Sequence, residues 1–486
     1  MELRLNLGSD PSSERLRGIL TQMGYGRLAL ADEPGMRVGR RWNIASSEAY
    51  ESSPVEGLSR GSMPEERGIW LNSMASDLLA WSVQEQEQRL HCSGLKAKLG
   101  KGWDSGDSAA SGQIYERRFI VRVFHLKAVE FVSYGWAERA LSQAREDQAG
   151  DGVHGRSQLY RKLEKTAVRA LYALNLDFGE VGITAGANGM VIHSVQAMPD
   201  LEGENAARRF AEVVVEEYER LAALHSQTLL LGMDPEFLLY HPAEGKIIPA
   251  SRYLDRAGIA GCDAIRRGDR TLYPIAELRP QPSSDPKQML RSLMGALQYA
   301  SRRIEAPDLK WLAGGMPVHG IPLGGHLHFS GVPLTAALLR TLDNYLALPV
   351  TLLEDPRAAA RRPKYGYLGD FRLQSHGGFE YRTLPSFLVS PALAKGVVAL
   401  AELIMRHPES LLLRPLSRTE VHQAYYRGDK NVLRTAFAPL NEELRRISDS
   451  WENGRHILAL LDMVDSGRMW DERRDIRKAW KIADSS

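Results

Sequence analysis

A chain of 486 residues is too long for one ordinary core, so two or three domains are expected. With 43% hydrophobic residues, 25% charged residues and a formal net charge of +2, it carries no overall field that argues for nucleic acid or a membrane surface. Its two cysteines, Cys92 and Cys262, make neither a disulfide framework nor a CxxC metal site, and a reducing cytoplasm is the expected compartment.

The opening MELRLNLGSD alternates and is charged, unlike a signal peptide. The next stretch, GSDPSSERLRGILTQMGYGRLAL, predicts a helix between short strands. GKGWDSGDSAASGQ (100–113) has the composition of a loop. RRFIVRVFHLKAVEFVSYGW (117–136) alternates and is rich in Val and Phe, which predicts a β-hairpin. Leu159, Leu163, Val168, Leu171 and Leu174 recur at helical spacing and predict a helix over 156–176. GANGMVIHSVQAMPDLEG reads as a turn, a strand and a Pro-containing exit, and 204–226 as an amphipathic helix leading into a second domain. LLLGMDPEFLLY (229–240) reads as that domain's first strand. The apolar run GVVALAELIM (396–405) falls short of the ~18 residues a spanning helix needs, and Glu402 interrupts it. The tail, 408–486, reads as a helical cap with Trp451, Trp470 and Trp480 for packing.

The region 229–406 holds most of the chemistry. Residues i and i+2 of a strand share a face. Four segments use that spacing for polar pairs: Asp234 and Glu236 in MDPEF, Glu277 and Arg279 in AELRP, His326 and His328 in GGHLHFSG, Glu380 and Arg382 in FEYRTLPS. One pair alone is the wet side of an amphipathic strand. Four together repeat the inventory that binds divalent cations and phosphate oxygens. Magnesium takes carboxylate oxygens plus substrate phosphates, and arginine meets anionic oxygens, bidentately where geometry allows. Glycines beside two of the pairs (Gly324–Gly325, Gly377–Gly378) would allow close backbone approach. DPRAAARRPKYGYLGDFR (355–372) adds Arg357, Arg361, Arg362, Lys364 and Arg372, either as a solvated loop or as a phosphate-binding loop over the site.

In order, GMDPEF, AELRP, GGHLHFSG, RRPKYGYLGDFR and GFEYRTLPS resemble the motifs of the phage-type carboxylate–amine ligases (amidoligases), within the glutamine synthetase and glutamate–cysteine ligase superfamily. The resemblance implies an α+β fold in which a curved antiparallel sheet holds ATP and divalent cations such as Mg2+ on its concave face. It also implies the reaction: ATP phosphorylates a carboxylate and an amine displaces the phosphate, giving an amide. By position, Asp234, Glu236, Glu277, His326 and Glu380 would take the metal. Arg362 or Arg361 would neutralise the transferring phosphate, and Arg382, Arg279 and Arg372 would contact nucleotide or substrate. Glu236, Glu277, Arg362 and Arg382 would carry the catalysis. His326 is expected in direct contact, with His328 supporting it by hydrogen bonding. The substrates would be a small-molecule or peptide carboxylate and amine, with oligomeric state open.

The first half, 1–227, resembles a degenerate ATP-grasp domain, with RRFIVRVFHLKAVEF and AVRALYALNLDFGEVGITAGANGMVIHSVQAMPDLEG as its matching parts. Gly182 stands where that family has an acidic residue, and Ser194 and Gln196 stand for the Glu and Asn of its later motif, with the spacing to Pro199 kept. Glycine cannot ligate through a side chain, and serine brings no charge. Lys96, Lys98 and Lys101 are the nearest candidates for holding phosphates. The expected organisation is therefore 1–227, a ligase domain at 228–407, and a helical extension at 408–486. A phosphotransferase on the same fold, or a non-catalytic scaffold, are the alternatives.

Overall fold

In a computed structural model, residues 2–31, 68–100, 117–134, 157–187, 189–223 and 228–482 are described. Lys101 and nearly all of the Gly/Ser-rich stretch after it lie outside them. The fold is α+β, built on three sheets.

The first sheet is parallel, with β1 (Glu2–Leu7) between β2 (Ala29–Ala31) and β3 (Gly68–Leu71). Parallel neighbours need a crossover, and the helix Pro11–Gln22 lies on the connection from β1 to β2. Asp10 caps that helix by accepting from the Ser12 and Ser13 amides at 3.0 Å.

The second sheet is antiparallel, in the order β5 (Lys127–Tyr134), β4 (Arg117–Phe124), β6 (Phe178–Gly186), β7 (Gly189–Gln196). The hairpin β4–β5 is the one its alternation predicts. The helix Gln158–Ala173 lays Leu163, Ala167, Val168 and Leu171 into the core beside Phe119, Val121, Val181 and Ile183. Register puts Gly182 opposite Ser194 and Glu180 opposite Gln196.

The third sheet runs β10 (Ala260–Arg267), β11 (Arg270–Leu278), β8 (Leu230–His241), β13 (Gly325–Ser330), β15 (Phe379–Tyr381), β14 (Phe371–Leu373). The short strands β9 (Lys246–Ile248) and β12 (Lys310–Leu312) also pair with β8. Its apolar alternates, Met233, Phe237, Leu327, Phe329, Phe379 and Tyr381, face the largest core. The helices Pro286–Arg303 and Pro391–Arg406 pack there, and so do Leu433, Phe437, Leu444, Leu460 and Trp480 of the tail. The tail shares the sheet's core and also holds a loop: Glu472 accepts from the backbone amides of Gly315 and, at 2.9 Å, Met316, ahead of β13. Among the described residues no helix is long and apolar enough to cross a membrane.

Candidate active site

Register decides which side chains meet. His326 pairs with Asp234 and Leu327 with Met233, which puts His328 beside Gly232. Glu277 pairs with Glu236, His328 with Glu380, and Arg372 with Glu380. With a period of two, the polar members of these pairs point to the face opposite the core, while Leu327 and Met233 point into it. One row of carboxylates, imidazoles and a guanidinium therefore crosses five neighbouring strands, β11 to β14. The four i, i+2 pairs legible in the sequence are neighbours in space.

The row is close-packed and mostly buried. His326 Nδ1 lies 3.0 Å from Asp234 Oδ1 and 3.2 Å from Glu380 Oε1. Both oxygens are buried without a hydrogen bond of good direction, so these are ion-pair contacts. His328 Nε2 is 3.0 Å from Asp234 Oδ2. Arg372 Nε donates to Glu380 Oε2 at 2.6 Å, Gln374 Nε2 donates to the same oxygen at 3.0 Å, and Arg382 Nε lies 3.1 Å from Oε1. On the other side Arg279 pairs with Glu277 and donates to the Arg256 carbonyl at 3.1 Å. Its guanidinium lies over Gly261, where a Cβ would come within 2.1 Å of Nη1.

Burial and neighbours split the acids into two kinds. Asp234 is held well below the usual carboxylate range: burial disfavours its charge, but His326 and His328 outweigh burial. His326 answers in the other direction, raised by Asp234 against the effect of burial. Burial pushes Glu236 up to about 7, opposed by His326 and by the Gly324 amide, which donates to Oε2 at 2.7 Å. Burial, then the neighbouring Asp234 carboxylate, push Glu277 up to about 8.

Two sets of ligand atoms are close enough to hold a cation: Asp234, His328 and Glu380, and Glu236, Asp263 and Glu277. The donors fit a divalent ion. They are mostly carboxylate oxygens, two of which lack a directed hydrogen bond, and like carboxylates this close repel unless a cation lies between them. The geometry thus puts His328, rather than His326, in a ligand set, while His326 bridges two carboxylates. Asp263 escaped the sequence pattern because its i−2 partner on the same face is Gly261, so no polar pair marks it.

Two arginines expected at the transferring phosphate are committed elsewhere. Arg361 is 3% exposed and donates to the carbonyls of Thr383 at 2.8 Å and Leu384 at 2.9 Å. It lies behind the row, near enough for Glu236 to act on its charge, with both terminal nitrogens bound to backbone carbonyls. Arg362 donates to the buried Glu354 at 2.8 Å and lies over the Tyr425 ring. The loop's arginines are needed to satisfy carbonyls and a carboxylate beneath it, and only Arg372, at its end, reaches the row. In the first half, Glu180 accepts from Arg122 Nε at 3.0 Å, and Lys98 joins the sheet edge through its backbone amide on the Ile192 carbonyl.

The α+β fold thus carries a metal-capable row of acids on one sheet face. Residues 231–482, just over half of the chain, match the family of phage phiEco32-like COOH.NH2 ligase-type 2 proteins, and the chain belongs to that family. No curated protein matches the chain. Two solved structures are similar over part of it. A bifunctional glutathione synthetase from Pasteurella multocida is 13% identical, with 54% of this chain and 49% of that one covered at a TM-score of 0.31. A novel glutamine synthase homolog is 16% identical, with 62% and 78% covered at a TM-score of 0.26. The chain thus spans about half the length of the glutathione synthetase.

Proposed function

We propose that the chain joins a carboxylate to an amine in an ATP-dependent reaction through an acyl phosphate, on the polar face of β8, β11, β13 and β15. The observation that carries this reading is the pair of adjacent ligand sets, Asp234–His328–Glu380 and Glu236–Asp263–Glu277, flanked by Arg279, Arg372 and Arg382. Magnesium bound there would offset charge on the phosphate oxygens. The chain's own residues would bind and orient. Glu236, Asp263 and Glu277 would hold one cation through their carboxylates, and Asp234, His328 and Glu380 another. His326, between Asp234 and Glu380, would fix both. Arg372 and Arg382, partly exposed beside Glu380, turn toward phosphate or substrate oxygens. The carboxylate and amine would be small molecules or peptide ends.

The first half fits a second part of the proposal, an ATP-grasp-like unit without its metal groups. Gly182 faces Ser194 with no acid between them, and Arg122 holds Glu180. One ATP per full chain is expected by equilibrium dialysis with Mg2+, and two would overturn this part.

The test of the reaction is ADP release from ATP and Mg2+ with pools of carboxylates and amines, with product masses showing condensation with loss of water. Glu236→Gln and Glu380→Gln should each lower turnover by at least about 100-fold. Normal turnover in both removes the site, and a product gaining a phosphoryl group makes the protein a phosphotransferase.

A further inference from the structure

Away from the row, a small cavity lies where the helix Gln158–Ala173 of the first half meets the ligase half. Four guanidiniums line it, those of Arg89, Arg169, Arg340 and Arg414, against one carboxylate, Asp343. Arg340 pairs with Asp177 beside it and donates to the Leu176 carbonyl at 3.0 Å. Among the described residues the other three have no carboxylate at ion-pair distance. Arg89, 1% exposed, donates to the Ala173 carbonyl at 2.9 Å and the Ser417 carbonyl at 3.0 Å, with Asp77 and Glu420 acting on it only at longer range. Arg414 donates to the Leu411 carbonyl at 2.7 Å and the Thr341 hydroxyl at 2.6 Å. Arg169 donates to the Pro363 carbonyl at 2.7 Å and stacks on Tyr367.

Four cations thus stand against two anions in a largely buried place. Buried charge without a counter-charge is costly, several kcal/mol per ion. Burial pushes both Arg89 and Arg414 down to about 10, as expected for guanidiniums lacking an anionic partner. The cavity also holds unused polar groups: His422 Nδ1, Arg340 Nε and Arg169 Nε lack hydrogen-bond partners, and His422 is 2% and Arg340 8% exposed. A volume of about 30 Å³ takes roughly two or three water-sized groups, which suits an anion of two or three oxygens, such as formate or bicarbonate, and excludes a nucleotide.

We propose that this cavity binds a small oxyanion of the formate or bicarbonate size, which joins the first half of the chain to the ligase half. The anion would complete the charge balance of Arg89, Arg340 and Arg414. It would also sit beside Asp343, whose two oxygens take the Tyr172 hydroxyl at 2.6 Å and the Tyr381 hydroxyl at 2.7 Å. Tyr381 adjoins Glu380 on β15, so the bound anion would buttress the strand that carries the row.

The test is thermal melting of the full chain in low-millimolar formate or bicarbonate, against chloride at equal ionic strength, without ATP or Mg2+. The midpoint should rise by about 3 °C with the oxyanions and not with chloride. Arg414→Gln should abolish the rise, and Arg382→Gln, on the row, should keep it. Equal response to chloride, or loss of the rise in Arg382→Gln with retention in Arg414→Gln, overturns the proposal. Should Arg414→Gln fail to fold, His422→Glu decides. A built-in carboxylate should raise the midpoint without the added oxyanion and remove the further gain, whereas a full oxyanion response in that variant overturns the site.

Discussion

Glu236 shows how a single side chain sets the working range of the row. Burial raises its folded-state value to about 7 from an ordinary 4.5, and Glu277 is raised to about 8. A carboxyl raised on folding holds its proton more tightly in the folded chain. Its contribution to stability is therefore complete below the unfolded value, near 4.5, and is lost as pH rises through 7 to 8. The loss at Glu236 alone is on the order of 3 kcal/mol. Metal-free protein should melt at progressively lower temperature from pH 5 to pH 8.5, and Mg2+ should cancel most of that fall, because the cation replaces the proton. Affinity for Mg2+, followed by calorimetry, should rise over the same interval with proton release. A flat melting profile without metal would show that these carboxyls are not buried together. Gly324 makes a second residue-scale case. A Cβ there would come within 2.2 Å of His326 Nε2. Gly324→Ala should push the imidazole off Asp234 and Glu380, weaken Mg2+ binding by at least about tenfold and cost about 1–3 kcal/mol. An unchanged Mg2+ titration would show that His326 does not organise the row.

Strands and their connections decide how much of this was legible in advance. Alternation in β8, β11, β13 and β15 placed Asp234, Glu236, Glu277, His326, His328 and Glu380 on one face, because period two is a local property and survives without tertiary information. Strand order then put the pairs side by side, which no local pattern contains. The loop ahead of β14 was the weak point. Its arginines look alike in sequence, yet Arg361 and Arg362 turn beneath it while Arg372 meets Glu380. Which guanidinium faces a site depends on which carbonyls need donors, and that is settled by packing. The connection ahead of β13 makes the same point from the far end of the chain. Glu472 is 1% exposed, is pushed up to about 6 by burial, and holds two amides of that connection. Glu472→Ala would leave both amides without their acceptor. The expected cost is roughly 2–4 kcal/mol in urea unfolding, with weaker Mg2+ binding because β13 follows directly. A loss below ~0.5 kcal/mol would mean that water serves those amides equally well.

At the scale of the whole molecule, the tail and the sheet form one hydrophobic body. The family match continues to residue 482, and the large core takes Val421, Leu433, Phe437, Leu440, Leu444, Ile457, Leu460, Leu461, Ile476 and Trp480 from beyond residue 407. Leu460 fits against Gly396 of the helix Pro391–Arg406, where a Cβ would come within 2.6 Å of it. Lys430 donates to the Glu354 carbonyl, and Glu354 in turn holds Arg362. Each large side chain buried from water contributes about 1.5–3 kcal/mol, so losing ten exceeds the 5–15 kcal/mol by which a domain is ordinarily stable. A chain ending at His407 is therefore expected to lose cooperative melting and Mg2+ binding together, while a chain ending at Ile482 keeps both. Gly396→Leu tests the same contact without truncation. Forcing Leu460 off the helix should lower the melting midpoint of the entire ligase half in one transition, because sheet and tail share the core. Two separate transitions, with the sheet's unchanged, would show that the tail is an independent cap and that the row stands without it.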